Sequence, residues 1–413
     1  MRIHIHTMYF LPDYGSAPIL MNELAGGLAA RGRNVEVVTT LPRPPHHRSC
    51  RGRLFLRETR DGFRVKRFPT NFTAHPLGRL AAWSIYTLLT WLNLAFVRRG
   101  DVVFLRLPPL QLGVTGILAR RLRGARAILN VQDIHPDLSI ESGILRNPFF
   151  IRAAQAFEKW IYKHTDEIVV ISDGFKDNLL AKGVPPEKII VLPNWVDTEV
   201  LRPRPKDNPV ARRNGLAEAF VVMYSGTISI SSSATLERVL DAAALLKDEP
   251  AIRIAIVGEG LKKDDLTAKA SSLGLDNVVF LPFQPYADLP DLLGSSDVLL
   301  VPLDKEKSRL SVPSKLYNFM AAGRPILGLA QADSEVPRII AAAGCGRTVA
   351  PDNVAAIAAS IRTLRADAAG REVMGRNGRA FAEARFSRRA VLAEFDRLMT
   401  TAHPATGPSR RGS

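Results

Sequence analysis

Ser311, Pro313, Ser314 and Lys315 stand between an apolar strand, DVLLVPL (297–303), and a segment that reads as a helix closing on Ala321-Ala322-Gly323. A second apolar run, PILGLA (325–330), follows. A strand, a polar turn and a helix beginning at that turn form a recurrent anion-holding device. The first backbone N–H groups of such a helix lack partners, and the helix dipole favours negative charge there. Lys315 adds a mobile cation, with Arg309 as a second phosphate cation in the same loop. The chemistry that fits is a grip on a phosphate or diphosphate by Ser314, Lys315 and Leu316, while Asn318 can hydrogen-bond a ribose or sugar hydroxyl.

Three other turns carry the same character. Asp13-Tyr14-Gly15-Ser16 joins the first strand to the first helix; Gly15 permits close backbone approach, and the helix start at Ser16 can face a phosphate. It lacks the G-x-G-x-x-G spacing, so dinucleotide binding of that type is not indicated. Gly226 and Thr227 open a Ser-rich loop before a helix, where backbone N–H groups and hydroxyls can bind a diphosphate. VGEG (257–260) ends the next strand, and Gly258 and Gly260 on either side of Glu259 allow a tight turn over a nucleotide. A different chemistry sits in NVQDIHPDLSIESG (130–143). Asp133, His135, Asp137 and Glu141 gather four ionisable groups at a strand's carboxyl end, a place for general acid/base groups or sugar-hydroxyl contacts. One histidine among scattered carboxylates is not a metal-ligand spacing.

The elements that must position these residues alternate throughout, short apolar runs with helical patterns, which is the signature of parallel-sheet α/β architecture. Strand segments are predicted at 2–9, 35–41, 63–68, 101–107, 127–132, 167–172 and 188–194, and again at 220–226, 252–260, 277–283, 297–303, 325–330 and 346–350. At 413 residues two domains are the natural division. LRPRPKDNPVARRN (201–214), with three prolines and no apolar periodicity, reads as the linker. The division is therefore residues 1–200, a linker at 201–214, a second domain at 215–385, and a C-terminal helix and disordered tail at 386–413.

Only Cys50 and Cys345 are present, in no disulfide or metal spacing, which fits a reducing cytoplasmic setting; the N-terminus reads as a first strand rather than a signal peptide. The net charge of +16 is concentrated at the start, where residues 1–130 hold 20 Lys/Arg against 6 Asp/Glu. That imbalance calls for an anionic surface. No nucleic-acid module is recognisable, and an anionic membrane leaflet is the better partner. LAAWSIYTLLTWLNLAFV (80–97) is free of charge for eighteen residues between Arg79 and Arg98-Arg99. Spanning, burial as a core helix and monotopic docking are all open to it; the basic flanks favour docking.

Residues 305–327, with ISDGFKDNLLAKGVPPEKIIVLPNWVDTEVLRP (171–203) and LPFQPYADLPDLLGSSDVLLVPL (281–303), resemble the signatures of retaining, family-4-type glycosyltransferases, in the bacterial colanic-acid and O-antigen exopolysaccharide branch. The resemblance implies a GT-B fold, two Rossmann-like domains facing across a cleft. It implies transfer of a sugar from a nucleotide-diphospho-sugar in the second domain to a lipid-linked glycan bound by the first, at the cytoplasmic membrane face, with no cofactor and no metal. Asp133, His135, Asp137 and Lys315 then carry the chemistry. Gly15, Ser16, Gly226, Thr227, Gly258, Glu259, Ser314, Lys315, Leu316 and Asn318 hold the donor. This chain departs from the pattern at Thr227 and Ser232 or Ser233, where the family has cations, at Leu310 and Asn318, where it has glutamates, and at His135, where it has Trp. Glu335 offers a carboxylate from the next loop, and Asn194 and Asp197 read as structural. Two other readings stay open: a non-catalytic GT-B-like protein that binds glycan, lipid or a partner enzyme, and a sugar-nucleotide epimerase.

Overall fold

The computed structural model describes residues 1–13, 15–43, 55–70, 76–228, 230–304 and 312–401. Tyr14, Arg309, Leu310, Ser311 and the tail lie outside them. The first sheet contains β1 (Arg2–His6), β2 (Asn34–Thr40), β3 (Leu56–Arg60), β4 (Phe63–Phe68), β5 (Val102–Leu107), β6 (Arg126–Val131), β7 (Glu167–Val170) and β8 (Ile189–Val191). Their order is β3-β4-β2-β1-β5-β6-β7-β8, parallel except where β3 runs antiparallel to β4. That edge hairpin was absent from the sequence reading. It turns on Asp61-Gly62, both with positive φ (46° and 83°), a pairing suited to a two-residue hairpin loop.

β5 is buried at every position because helices cover both faces of the sheet. Helices Pro76–Asn93, Leu112–Arg123 and Pro148–His164 pack with Val103, Leu105 and Leu129 on one side; helices Ser16–Ala30 and Arg388–Thr400 pack with Ile3, Ile5 and Phe104 on the other.

The second sheet contains β9 (Phe220–Ser225), β10 (Ile252–Val257), β11 (Val278–Leu281), β12 (Val298–Pro302), β13 (Ile326–Leu329) and β14 (Gly346–Val349). It is wholly parallel, in the order β11-β10-β9-β12-β13-β14. Strand order reverses between β9 and β12, so the crevice for a ligand opens at their carboxyl ends.

Residues 201–214 are not a loose tether. They hold a short helix, Pro209–Arg213, capped by the Asn208 side chain, with Val210 and Ala211 buried. Lys206 pairs with Asp297 of the second domain. The chain crosses back at an isolated bridge between Val196 and Ser387, flanked by Val196 N–H to Phe386 O (2.9 Å) and Arg388 N–H to Val196 O (2.8 Å). Helix Arg388–Thr400 then docks on the first domain, with Phe395 edge-on to Phe104 and to Trp195, both at 5.8 Å. Phe395→Ala is expected to cost about 3–5 kcal/mol, read as a lower urea midpoint, because this buried aromatic joins the C-terminal helix to β5 and to Trp195.

Candidate active site

At the carboxyl ends of β9 and β12 lies a cavity of about 630 Å³, lined by Tyr224, Gly226, Thr227, Phe283, Ser314, Lys315 and Asn318 of the second domain and by Gly15 and Ser16 of the first. That volume suits a nucleotide-sized ligand. Helix Lys315–Ala321 begins at the cavity wall. The Lys315 ammonium stands 4.0 Å from the centre of the Tyr224 ring. The Tyr224 hydroxyl is itself fixed by donating to Thr227 O at 2.7 Å. No carboxylate among the described residues pairs with Lys315, and burial pulls its pKa down from 10.5 to about 7. An anion arriving there would meet a cation held ready by an aromatic face and offset by no acid.

Gly226 has φ 149°, and a Cβ added to it would stand 2.7 Å from Lys315 Nζ, so the loop must be bare for the ammonium to sit where it does. Gly258 works differently from the sequence expectation. A Cβ on it would fall 1.9 Å from Gly226 O, and the two loops are zipped by Gly226 N–H to Val257 O and Ile228 N–H to Glu259 O, both 2.9 Å. The glycine lets two backbones touch; Val257, not Gly258 or Glu259, lines the cavity, and Glu259 pairs with Lys263 at 2.7 Å. Leu316 is likewise displaced from the expected role: its side chain is fully buried in the core and its N–H donates to Pro313 O at 3.0 Å. Arg309 lies outside the described residues.

The three ionisable candidates of the first domain do not line this cavity; they form a separate group after β6. Burial raises the Asp133 carboxyl to about 6, against the opposing pull of Arg106. Burial and the nearby Arg79 lower His135 to about 4, so its imidazole is neutral at pH 7; its Nδ1 lies 3.1 Å from Ser139 Oγ. The Trp83 ring meets His135 edge-on at 5.9 Å. Asp137 is engaged elsewhere. It pairs with Lys182 at 2.9 Å and accepts from Asn178 at 3.1 Å, while Lys182 also holds Glu158 at 2.7 Å. It ties helix Asp137–Glu141 to helix Asp173–Ala181.

Glu335 is also a strut rather than a donor carboxylate. It reaches across to the first domain, accepting from the Ser172 side chain and the Gly174 N–H, and burial raises its pKa. Arg338 reinforces it, meeting Asp177 at 3.0 Å.

Two features escaped the sequence reading. Arg106, read as part of an apolar strand, is buried beside Asp133; a lone arginine near the end of that strand was the available signal. Helix Pro148–His164 exposes Phe149, Phe150, Phe157 and Trp160, a pattern visible as aromatics spaced around Lys159. It flanks helix Leu112–Arg123, which in turn touches helix Pro76–Asn93. On the latter, Tyr86 and Asn93 meet Val38 and Lys66 of the sheet and Thr90 meets Thr115 of helix Leu112–Arg123, whereas Leu80, Ile85, Leu88, Trp91 and Leu92 are exposed, with Phe96 just beyond. Among the described residues no helix is long and apolar enough to cross a membrane.

Two Rossmann-like sheets whose carboxyl ends meet at a nucleotide-sized cavity make the GT-B fold, which glycosyltransferases share. Residues 18–195 match the glycosyl transferase 4-like domain and residues 213–381 the glycosyl transferases group 1 domain. The chain is 30% identical over 375 residues to WcaI of Escherichia coli (strain K12), named as a colanic acid biosynthesis glycosyl transferase, covering 88% of this chain and 91% of that one. It is 29% identical to the glycosyltransferase WbjE of Pseudomonas aeruginosa over 63% of this chain and 65% of the other. The chain belongs to this glycosyltransferase family. Its fold superposes on Anabaena HepE in complex with UDP with a TM-score of 0.73 at 17% identity, covering 97% of this chain and all of that one. WaaG, a glycosyltransferase involved in lipopolysaccharide biosynthesis, gives 0.69 at 18% identity over 97% and 100% of the two chains.

If Asp137 is a structural tie, Asp137→Ala lowers stability by about 1–3 kcal/mol, measured by chemical denaturation, and leaves nucleotide affinity of the folded fraction unchanged. Loss of sugar transfer with stability unchanged would return it to the catalytic group.

Proposed function

We propose that this glycosyltransferase moves a hexose, with retention, from a UDP- or GDP-linked sugar to a lipid-linked glycan at the inner face of a bacterial membrane, in surface-polysaccharide synthesis. The observation that carries the reading is the cavity in which Lys315, without a carboxylate partner among the described residues, bare Gly226 and Asn318 face Gly15 and Ser16 across the domain boundary. The names of the relatives support it: HepE was crystallised with UDP, WcaI is named for colanic acid and WaaG for lipopolysaccharide.

In this reading the bond between the anomeric carbon and the diphosphate oxygen breaks, and Lys315 with the Gly226 loop takes up the charge that develops on the leaving oxygen. The acceptor oxygen bonds to the same face of the sugar, and its proton passes to the departing phosphate. No enzyme carboxylate bonds to the sugar, unlike the retaining glycosidases. Asp133 and His135 orient the acceptor hydroxyl from the facing domain. No metal or cofactor is assigned a part.

The outward apolar residues of helix Pro76–Asn93 are read as a monotopic docking surface, joined by the aromatic face of helix Pro148–His164 and ringed by exposed Arg79, Arg98, Arg99 and Arg121. These arginines suit anionic lipid headgroups. Replacing Leu88, Trp91 and Leu92 together with Ser is expected to weaken flotation with phosphatidylglycerol vesicles at least about tenfold while leaving the melting temperature unchanged. Equal flotation of the variant would remove the surface from the proposal.

Membrane fractions containing the protein, given labelled UDP- and GDP-sugars, should pass label into the lipid extract, and Lys315→Ala should abolish it. Because an anion binds the charged ammonium, nucleotide affinity is full below pH 7 and falls up to about tenfold per unit above it; Lys315→Ala flattens that profile. Absence of both transfer and nucleotide binding would leave a glycan- or lipid-binding protein without catalysis.

A further inference from the structure

A buried guanidinium is costly unless something compensates its charge; the effective penalty is several kcal/mol. Two arginines among the described residues are buried, and they differ in company. Arg67 donates to Glu58 at 2.7 and 2.9 Å, to Thr40 O at 3.2 Å and to Leu11 O at 2.5 Å. Arg106, 8% exposed, has a buried Nε that finds no hydrogen-bond partner among the described residues, and no described carboxylate lies within ion-pair distance of it. Asp133 and Tyr9 are near enough for their charges to act on it, but neither is bonded to it.

Its surroundings are polar and ordered. Arg106 is the Cα partner of Asn130, so the two side chains share one face at the carboxyl end of the sheet. Gln132 donates to Asn130 at 2.6 Å, and Asn194 donates to Gln132 at 2.8 Å, which holds the floor of this face rigid. On the far side of Asp133, His135 abuts Trp83, whose Nε1 is a second buried donor without a partner. Trp83 belongs to the helix whose outward face was read above as the docking surface. Arg106 thus stands near Asp133, the carboxyl of this group that has no ion pair among the described residues.

We propose that Arg106 is an oxyanion subsite for the acceptor. The subsite rests on the transferase reading and deepens it. The guanidinium takes an anionic oxygen of the acceptor and so presents the neighbouring hydroxyl to Asp133. Arg106 is a positioning residue and takes no part in bond making. The oxygen belongs either to the diphosphate that joins glycan to lipid or to the carboxylate of an acidic sugar; both offer the planar or forked acceptor that a guanidinium matches.

The full-length Lys315→Ala protein, whose donor grip is gone, is titrated calorimetrically with inorganic pyrophosphate and with glucuronate. One of the two is expected to bind, and adding Arg106→Met weakens it on the order of a hundredfold. Arg106→Lys, which keeps the charge and loses the fork, weakens it less and carries the test if the Met variant does not fold. Dependence of pyrophosphate on Arg106 marks a lipid diphosphate, and dependence of glucuronate marks an acidic sugar. Affinity for both that is indifferent to residue 106 overturns the proposal. So does loss of UDP or GDP binding in Arg106→Met with Lys315 intact, since that marks a purely structural arginine. If the wild type binds neither nucleotide, the transferase reading falls while an Arg106-dependent anion site stands.

Discussion

The chain crosses between its two sheets twice, and the geometry of the cleft depends on how those crossings are pinned. Val196 and Ser387 pair as a single bridge, and Arg388 beside them reaches Asp197 at 2.8 Å and Glu23 at 3.3 Å. Arg379 completes the joint by donating to Thr198 O, Leu201 O and Ala321 O at 2.7–2.9 Å. Ala321 ends the helix that begins at Lys315, so one guanidinium ties the crossover to the element that brings Lys315 to the cavity. Glu335 and Arg338 brace the joint from another side through Ser172, Gly174 and Asp177. Without these contacts Gly15 and Ser16 would have no fixed relation to Lys315.

The charges divide into those that hold the structure and those held in reserve. Asp137, Glu158 and Lys182 neutralise one another, as do Arg126 and Glu167 at 2.5–2.6 Å. Lys315 and Arg106 do not have this insurance. Each lies in a low-dielectric setting where an unpaired cation is disfavoured, and each sits at the carboxyl end of a parallel sheet, where ligands of such folds collect. Withholding a partner from a buried cation sacrifices stability and raises its attraction for an incoming anion.

Helix Pro76–Asn93 shows how packing can reverse a pattern. Its inward face is polar because the sheet beneath carries His4, Glu36 and Lys66; Asn93 accepts from Lys66 at 2.7 Å, and Thr90 meets Thr115 at 2.8 Å. Once the polar residues are used inside, the apolar ones are left outside. Exposed apolar surface of this kind marks an interaction site.

The alternation of apolar runs and helical segments was legible in the sequence, because burial on both faces demands continuous apolar strands. So were the family signature and the placement of Lys315, Gly226 and Gly15 at turns around one cavity, since strand–turn–helix spacing by itself puts such residues at a carboxyl-end turn. The Asp61-Gly62 pair also signals the β3 hairpin, although β3 itself, LRETR, lacks the apolar run that marks the other strands. Only the tertiary structure decided the rest. Asp133 and Asp137 are four residues apart and chemically alike, yet one is left unpaired and the other bound to a lysine 45 positions away. Gly258 meets another loop rather than a ligand, and Glu335 meets another domain. Arg106 gains its meaning from what does not surround it. Spacing along a chain reports which residues can share a turn; whether a charge finds a partner depends on residues far off in sequence, and that is settled only when the sheets are closed against each other.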